Sequence, residues 1–277
     1  MKAIDSHKKA EILRDLHRGP EVLILPNAWD SASARIFEEA GFPAIATTSG
    51  GVAFSLGYPD GQHIPQAEMI DAVTRIARCV RVPVTADLEA GYGDMARTAA
   101  ALVESGAVGL NLEDIDKQGS KQLVKLAEQV ERIRTLRRTG DELGVHIVIN
   151  ARTEYYLAQI GDPEERFDAA CHRLKHYIDA GADCVFVPSI TDANLIQRFV
   201  NVLEFPLNVL VGPGTPSVAH LKELGVARLS VGSGITRSTM GLTRRIADEL
   251  MGAGEYQTML AGAMPYAEAN ELFKVTA

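Results

Sequence analysis

Eight times along the chain, a short run of apolar and β-branched residues gives way to a longer stretch of helical period, and this alternation limits what the chain can fold into. The runs cover 22–29, 44–50, 83–90, 109–115, 147–154, 184–190, 207–213 and 227–233. Each is bounded by Gly, Pro or polar residues, as buried parallel strands are. Between and after them lie amphipathic segments at 32–40, 67–80, 98–104, 124–143, 164–180, 194–203, 218–224 and 242–251. Several of these meet a glycine (Gly41, Gly106, Gly144, Gly181, Gly225) just before the next strand. Glycine ends a helix in the left-handed conformation without a Cβ penalty. Asp162-Pro163-Glu164-Glu165 reads as a helix start, with Asp as cap and Pro in the first turn.

Eight strands in strict βα order close naturally into a (β/α)8 TIM barrel with right-handed crossovers. An open doubly wound sheet would need a glycine-rich dinucleotide turn after its first strand, and here that position reads Asn27-Ala28-Trp29-Asp30. Additional helices are predicted at 8–17 and 266–273, and no linker divides residues 1–277, so a single domain is expected. A length of 277 residues suits such a barrel, which typically needs about 250. With 28 basic against 36 acidic side chains, the formal charge of −8 gives no reason to expect nucleic acid or an anionic membrane as partner. Three scattered cysteines suit neither a disulfide framework nor a zinc site. The first 18 residues mix charges with apolar side chains, unlike a signal peptide, and no apolar run approaches the roughly 18–20 residues that cross a bilayer. A soluble, cytoplasmic protein acting on a small molecule is expected.

Active sites of such barrels gather at the C-terminal ends of the strands. Those ends carry Asn27, Trp29 and Asp30; Thr47 to Gly51; Asp87 and Glu89; Asn111, Glu113 and Asp114; Asn150, Arg152 and Glu154; then Pro188, Ser189, Asn208, Gly212, Ser230 and Ser233. Asp87, Glu89, Glu113 and Asp114 thus converge from two adjacent strands, with Asp60 available from the loop after the second. Crowded carboxylates repel unless some are protonated or a cation sits among them. An all-oxygen set suits a hard divalent ion, Mg²⁺ or Mn²⁺, that keeps several waters. Any single strand-end acid is equally well a helix cap or a solvated rim residue. Arg152 either pairs with this cluster or clamps a substrate carboxylate with its planar fork. Ser49-Gly50-Gly51 is either a tight turn or a row of backbone N–H groups for an anion.

Asp87-Leu88-Glu89-Ala90-Gly91-Tyr92-Gly93 followed by Asn111-Leu112-Glu113-Asp114 resembles the isocitrate lyase/phosphoenolpyruvate mutase superfamily. Leu25-Pro26-Asn27-Ala28-Trp29-Asp30, Thr47-Thr48-Ser49-Gly50, Asp60-Gly61, Asn150-Ala151-Arg152-Thr153-Glu154 and Ala180-Gly181-Ala182-Asp183 extend the likeness over nearly the whole chain. The resemblance implies Mg²⁺ (or Mn²⁺) held largely through water at Asp87, Glu89 and Glu113, with Asp60 nearby. It implies catalytic roles for Arg152, Asp60 and Glu113, and substrate binding by Ser49, Gly50, Gly51, Arg152 and Asn208. It also implies a homo-oligomer, dimer or tetramer, in which the last helices, about 255–277, pack on a neighbouring subunit. The shared chemistry forms the enolate of a 2-oxo acid, stabilised electrostatically.

One departure narrows the reaction. Isocitrate and methylisocitrate lyases carry a Lys-Lys/Arg-Cys-Gly-His loop after the fourth strand, whose Cys is the proton donor. This chain reads Asp116-Lys117-Gln118-Gly119-Ser120-Lys121 there, without Cys or His. Mutases place a His where Pro188 stands, and Lys117 or Lys121 aligns only loosely with the mutase loop lysine. The expected function is a Mg²⁺-dependent lyase that cleaves a C–C bond of a small 2-oxo or 2-hydroxy di- or tricarboxylic acid, either 2-methylisocitrate lyase-like or oxaloacetate decarboxylase-like. The first alternative is P–C bond chemistry on a phosphonopyruvate-like acid. Others are a phosphate-binding isomerase or aldolase using the glycines at 212–214 and 232–234, and a barrel that binds a ligand without turning it over. A Schiff-base aldolase needs a strand-end lysine, and the eight ends carry none.

Overall fold

The computed structural model describes residues 2–117, 119–120 and 122–274. Its strands form one parallel sheet ordered β1-β9-β8-β7-β6-β5-β4-β3-β2. They are β1 (Leu23–Leu25), β2 (Asn27–Ala28), β3 (Ile45–Thr47), β4 (Val84–Asp87), β5 (Gly109–Glu113), β6 (Val148–Arg152), β7 (Cys184–Phe186), β8 (Leu207–Leu210) and β9 (Arg228–Ser230). Only Pro26 separates β1 from β2. β1 pairs with β9 and β2 with β3, so this interrupted strand closes the barrel, and the eight expected strands are all present. The interruption follows from proline, which has no N–H to add to a ladder.

Helices α1 (Lys2–Leu16), α2 (Ser31–Glu39), α3 (Ser49–Ser55), α4 (Gln66–Cys79), α5 (Met95–Ser105), α6 (Leu126–Glu142), α7 (Arg166–Asp179), α8 (Ala193–Leu203), α9 (Val218–Glu223), α10 (Gly234–Gly252), α11 (Gln257–Gly262) and α12 (Tyr266–Glu271) surround the sheet. Several elements differ from the sequence-based expectation: α1 starts at Lys2 rather than at residue 8, α3 takes Ser49 and Gly50 out of the expected strand 44–50, α5 starts at Met95 rather than at residue 98, and α11 was not expected. Asp162 caps a turn through the Glu164 amide at 2.9 Å, and α7 begins only at Arg166. α10 starts eight residues earlier than the periodic segment 242–251, because in its first two turns Ile235 and Met240 stand among Gly, Ser, Thr and Arg and make no continuous apolar stripe. No helix among the described residues is long and apolar enough to cross a membrane.

α1 stops the N-terminal end of the barrel. Leu13 is fully buried there, and a Cβ on Gly109, at the start of β5, would lie 2.9 Å from its Cδ2. His17 follows, its Nδ1 2.7 Å from the Leu13 carbonyl and its Nε2 3.4 Å from Nη1 of the fully buried Arg228. A ring whose Nδ1 faces an acceptor and whose Nε2 faces a cation is neutral. Burial and Arg228 together lower its pKa from 6.5 to about 4. The unfolded chain therefore binds this proton more readily than the native one. The associated stability is whole above pH 6.5 and drains away as pH falls toward 4. At 1.36 kcal/mol per pKa unit the loss reaches about 3 kcal/mol. Urea unfolding of wild type and His17→Gln between pH 7 and 4 checks this. The variant should show the shallower dependence on pH, and identical slopes would place the acid sensitivity elsewhere.

Candidate active site

Asp87 ends β4, and its surroundings fix its orientation. Its amide donates to Thr47 Oγ1 at 2.9 Å, its Oδ2 accepts the Ser49 amide at 3.1 Å, and its Oδ1 accepts from Asn111 Nδ2 at 3.4 Å. Asn111 in turn accepts from Asn150 at 2.8 Å and from buried Arg228 at 3.2 Å. This layer of polar side chains runs across the barrel interior beneath the carboxylates. Beyond the strand end the backbone is strained: Glu89 and Tyr92 sit at φ of 52° and 57°, left-handed values for residues with a Cβ. Gly91, at φ 82°, takes the turn between them, where a Cβ would come within 2.5 Å of Met95 Cε. The strained loop turns Glu89 inward, fully buried.

Glu113, at the end of β5, is 1% exposed and lies between two cations. Arg152 Nη1 is 2.9 Å from its Oε1 and Lys117 Nζ 2.7 Å from its Oε2. The same ammonium lies 3.2 Å from Glu89 Oε2. Arg152 also pairs through Nε with Glu154, and its guanidinium lies 5.4 Å over the Phe186 ring. Among the described residues, four carboxylates (Asp87, Glu89, Glu113, Glu154) thus face two cations, a formal excess of two negative charges in a largely buried mouth. Burial, reinforced by Glu113 and Asp87, lifts the Glu89 pKa to about 7 against the pull of Lys117. Burial also pushes Glu113 up, opposed by Arg152 and Lys117. The Tyr92 hydroxyl is buried without a hydrogen-bond partner, and burial together with Glu89 holds it protonated well above the usual phenol range.

The structure sorts the remaining sequence candidates. Asp114 does not join the cluster. It accepts from Thr153 Oγ1, the Glu154 amide, Arg173 Nε and the Tyr177 hydroxyl at 2.7–3.0 Å, a saturated structural anchor. Successive strand residues point to opposite faces, so Glu113 and Asp114 cannot both enter the mouth. Asp60 is exposed and lies over α3, its Oδ1 3.4 Å from Ser49 Oγ. A Cβ on Gly50 would stand 3.0 Å from its Oδ2, so glycine lets the two segments approach. Ser49-Gly50-Gly51 is the first turn of α3. The Ser49 amide is engaged by Asp87 and the Gly51 amide faces Thr48 Oγ1 at 3.4 Å, which leaves Gly50 as the amide of the three for a ligand. Asn208 lies deeper, fully buried and bonded to Ser230 Oγ at 3.1 Å.

The glycines after β8 and β9 do not form a phosphate cradle. The Gly212 amide donates to Thr215 Oγ1 at 2.9 Å, and Val231 and Gly232 both donate to Asn27 Oδ1, at 2.8 and 2.9 Å. The cysteines are away from the carboxylates, on α4, α7 and β7, and burial raises all three thiols, Cys171 to about 11 and Cys184 to about 12. Lys121 lies outside the described residues.

A divalent cation suits the donor set. Both Glu89 carboxylate oxygens are buried with no hydrogen-bond partner, and Oε2 has only the Lys117 ion pair. The donors are all oxygen and carry the charge excess described above. Among the described residues, however, no three Asp, Glu, His or Cys side chains are drawn together as a ready-made cage.

The family model described as phosphoenolpyruvate phosphomutase matches residues 13–251. A 2-methylisocitrate lyase of Bacillus subtilis (strain 168) is 30% identical over 203 residues, covering 70% of this chain and 64% of that enzyme. The solved structure of a Burkholderia cenocepacia J2315 protein, designated only provisionally as a lyase/mutase, superposes with a TM-score of 0.90 at 36% identity, covering 98% of both chains. Oxaloacetate acetylhydrolase in complex with its product oxalate gives a TM-score of 0.86 at 25% identity, covering 98% of this chain and 95% of that one. The chain is a member of the phosphoenolpyruvate mutase family, within the isocitrate lyase/phosphoenolpyruvate mutase superfamily of lyases and mutases.

Proposed function

We propose that the protein is a lyase that cleaves a C–C bond of a small 2-oxo or 2-hydroxy di- or tricarboxylic acid by way of an enolate, with Mg²⁺ or Mn²⁺ as cofactor. The observation that carries this reading is the buried, negatively charged mouth in which Glu89 keeps its carboxylate oxygens without a hydrogen bond beside Asp87, Glu113 and Arg152. Asp87, Glu89 and Glu113 would hold the ion, which when bound supplies charge neutralisation and Lewis acidity. Arg152 and the Gly50 amide hold the carboxylate and the developing oxyanion of the substrate. For this, Arg152 exchanges part of its pairing with Glu113 and Glu154 for a substrate oxygen, and its planar fork suits that exchange. With a 2-oxo acid such as oxaloacetate, loss of CO₂ leaves the electron pair of the broken bond on the carbon alpha to the ketone. With a 2-hydroxy acid the hydroxyl proton leaves as the new carbonyl forms, and the pair rests alpha to a carboxylate of the departing fragment. In either case that carbon must then take a proton. Tyr92, protonated and without a hydrogen-bond partner, is the side chain we assign to that step in the absence of a loop cysteine.

The exposed C-terminal arm supports a homo-oligomer with the last helices on a neighbouring subunit. Along α10 only Thr236 is buried, while Met251 and Tyr266 are 87% and 86% exposed. Leu272 nonetheless returns to its own chain, where its carbonyl accepts from Arg35 Nε at 2.6 Å. The free cysteines accord with a reducing, cytoplasmic compartment.

A substrate panel tests the reading: oxaloacetate, 2-methylisocitrate, isocitrate and phosphonopyruvate, each assayed for pyruvate, glyoxylate, oxalate and succinate with Mg²⁺ and with EDTA. Product from a C–C substrate, lost in EDTA, is the expected result. Turnover of phosphonopyruvate alone would move the protein to P–C chemistry, and turnover unaffected by EDTA would remove the cation.

A further inference from the structure

Among the described residues of the loop after β5, Lys117 reaches into the mouth. An antiparallel bridge joins Ile115 to Leu123, and the Val124 amide donates to the Asp114 carbonyl at 2.8 Å. Asp116 folds the tip by accepting the Gly119 and Ser120 amides, both at 2.9 Å. From this unit Lys117 extends its ammonium to Glu113, four residues earlier, and to Glu89 on the neighbouring loop, at 2.7 and 3.2 Å. Its own side chain is 20% exposed, against 1% and 2% for the two carboxylates, so this is no solvated surface pair. In the sequence Lys117 stands only as a loose match to the mutase loop lysine.

We propose that Lys117 sets the affinity of the site for its divalent cation by competing with it: the ammonium occupies the Glu89 and Glu113 oxygens that the ion requires, and the ion binds by displacing it. The inference rests on the cation reading above. A carboxylate lone pair directed at an ammonium cannot also be directed at a metal or its water shell, and two cations held by the same oxygens repel each other. Removing the ammonium therefore has a definite sign. It frees both carboxylates, leaves them repelling one another, and makes an incoming doubly charged ion more strongly bound. A lysine that merely stabilised the loop would give no such gain.

The test uses the full chain as wild type, Lys117→Met, Lys117→Gln and Lys117→Arg. Mn²⁺ is titrated and the free hexaaquo ion read by electron paramagnetic resonance, and thermal midpoints are recorded with and without MgCl₂. We expect both neutral variants to bind Mn²⁺ at least about tenfold more tightly than wild type, and Lys117→Arg to stay within about threefold of it. We also expect Mg²⁺ to raise the midpoint of the neutral variants by more than that of wild type, since at a given concentration a ligand stabilises the native state more, logarithmically, as its affinity rises. Wild type that binds Mn²⁺ while a folded neutral variant binds it no more tightly overturns the role of Lys117 and leaves the cation reading standing. No Mn²⁺ binding by any of the four proteins overturns both.

Discussion

Asp87→Ala is expected to abolish turnover while leaving a cooperatively folded protein. A bound divalent cation supplies several kcal/mol of charge stabilisation. At 1.36 kcal/mol per decade, its loss costs about 10³-fold or more in rate. The structural consequences are opposed and small. Truncation strands the Ser49 amide and the Asn111 amide group that now donate to the carboxylate, at about 1–2 kcal/mol. It also removes one of four crowded negative charges, a partial offset. Steady-state kinetics beside a urea melt separates the cases. A folded, inactive variant is the expected pair of results, and loss of cooperative unfolding would make Asp87 a structural residue.

Arg152→Lys is the second large effect, expected to lower kcat/KM by about 10²-fold, the scale of one lost oxyanion donor. In the structure the guanidinium engages Glu113 through Nη1 and Glu154 through Nε while lying over Phe186. A lysine ammonium keeps the charge but is a point donor. It cannot serve two carboxylates and a substrate oxygen in one plane, nor stack on the ring. The fold should survive because the charge remains. Wild-type kinetics in this variant would confine Arg152 to structural pairing.

The barrel was legible in the sequence because each strand lies in a short, largely apolar run and most of its helices end at glycine or proline, signals that are local. The site was legible in the same way where function sits at a strand end: Asp87, Glu113 and Arg152 lie on or close to the last residues of β4, β5 and β6, and β5 pairs Glu113 directly with Arg152. What escaped depended on direction and loop path. Asp114 looked like a fourth ligand, although the two-residue period of a strand turns it toward Arg173 and Tyr177. The glycines at 212–214 and 232–234 suggested a phosphate site, but Thr215 and Asn27, one of them more than 200 residues away, use their amides. Lys117 was ambiguous because nothing local says whether a loop lysine faces solvent or reaches back to glutamates at the end of β5 and in the loop after β4.

The most direct test for a divalent ion among Asp87, Glu89 and Glu113 is an anomalous difference map from a crystal grown with MnCl₂. A strong peak beside those three carboxylates, with the Lys117 ammonium withdrawn from Glu89, is the predicted result. A map empty at that position, with Glu89 and Glu113 still bridged by Lys117 and Arg152, would contradict it.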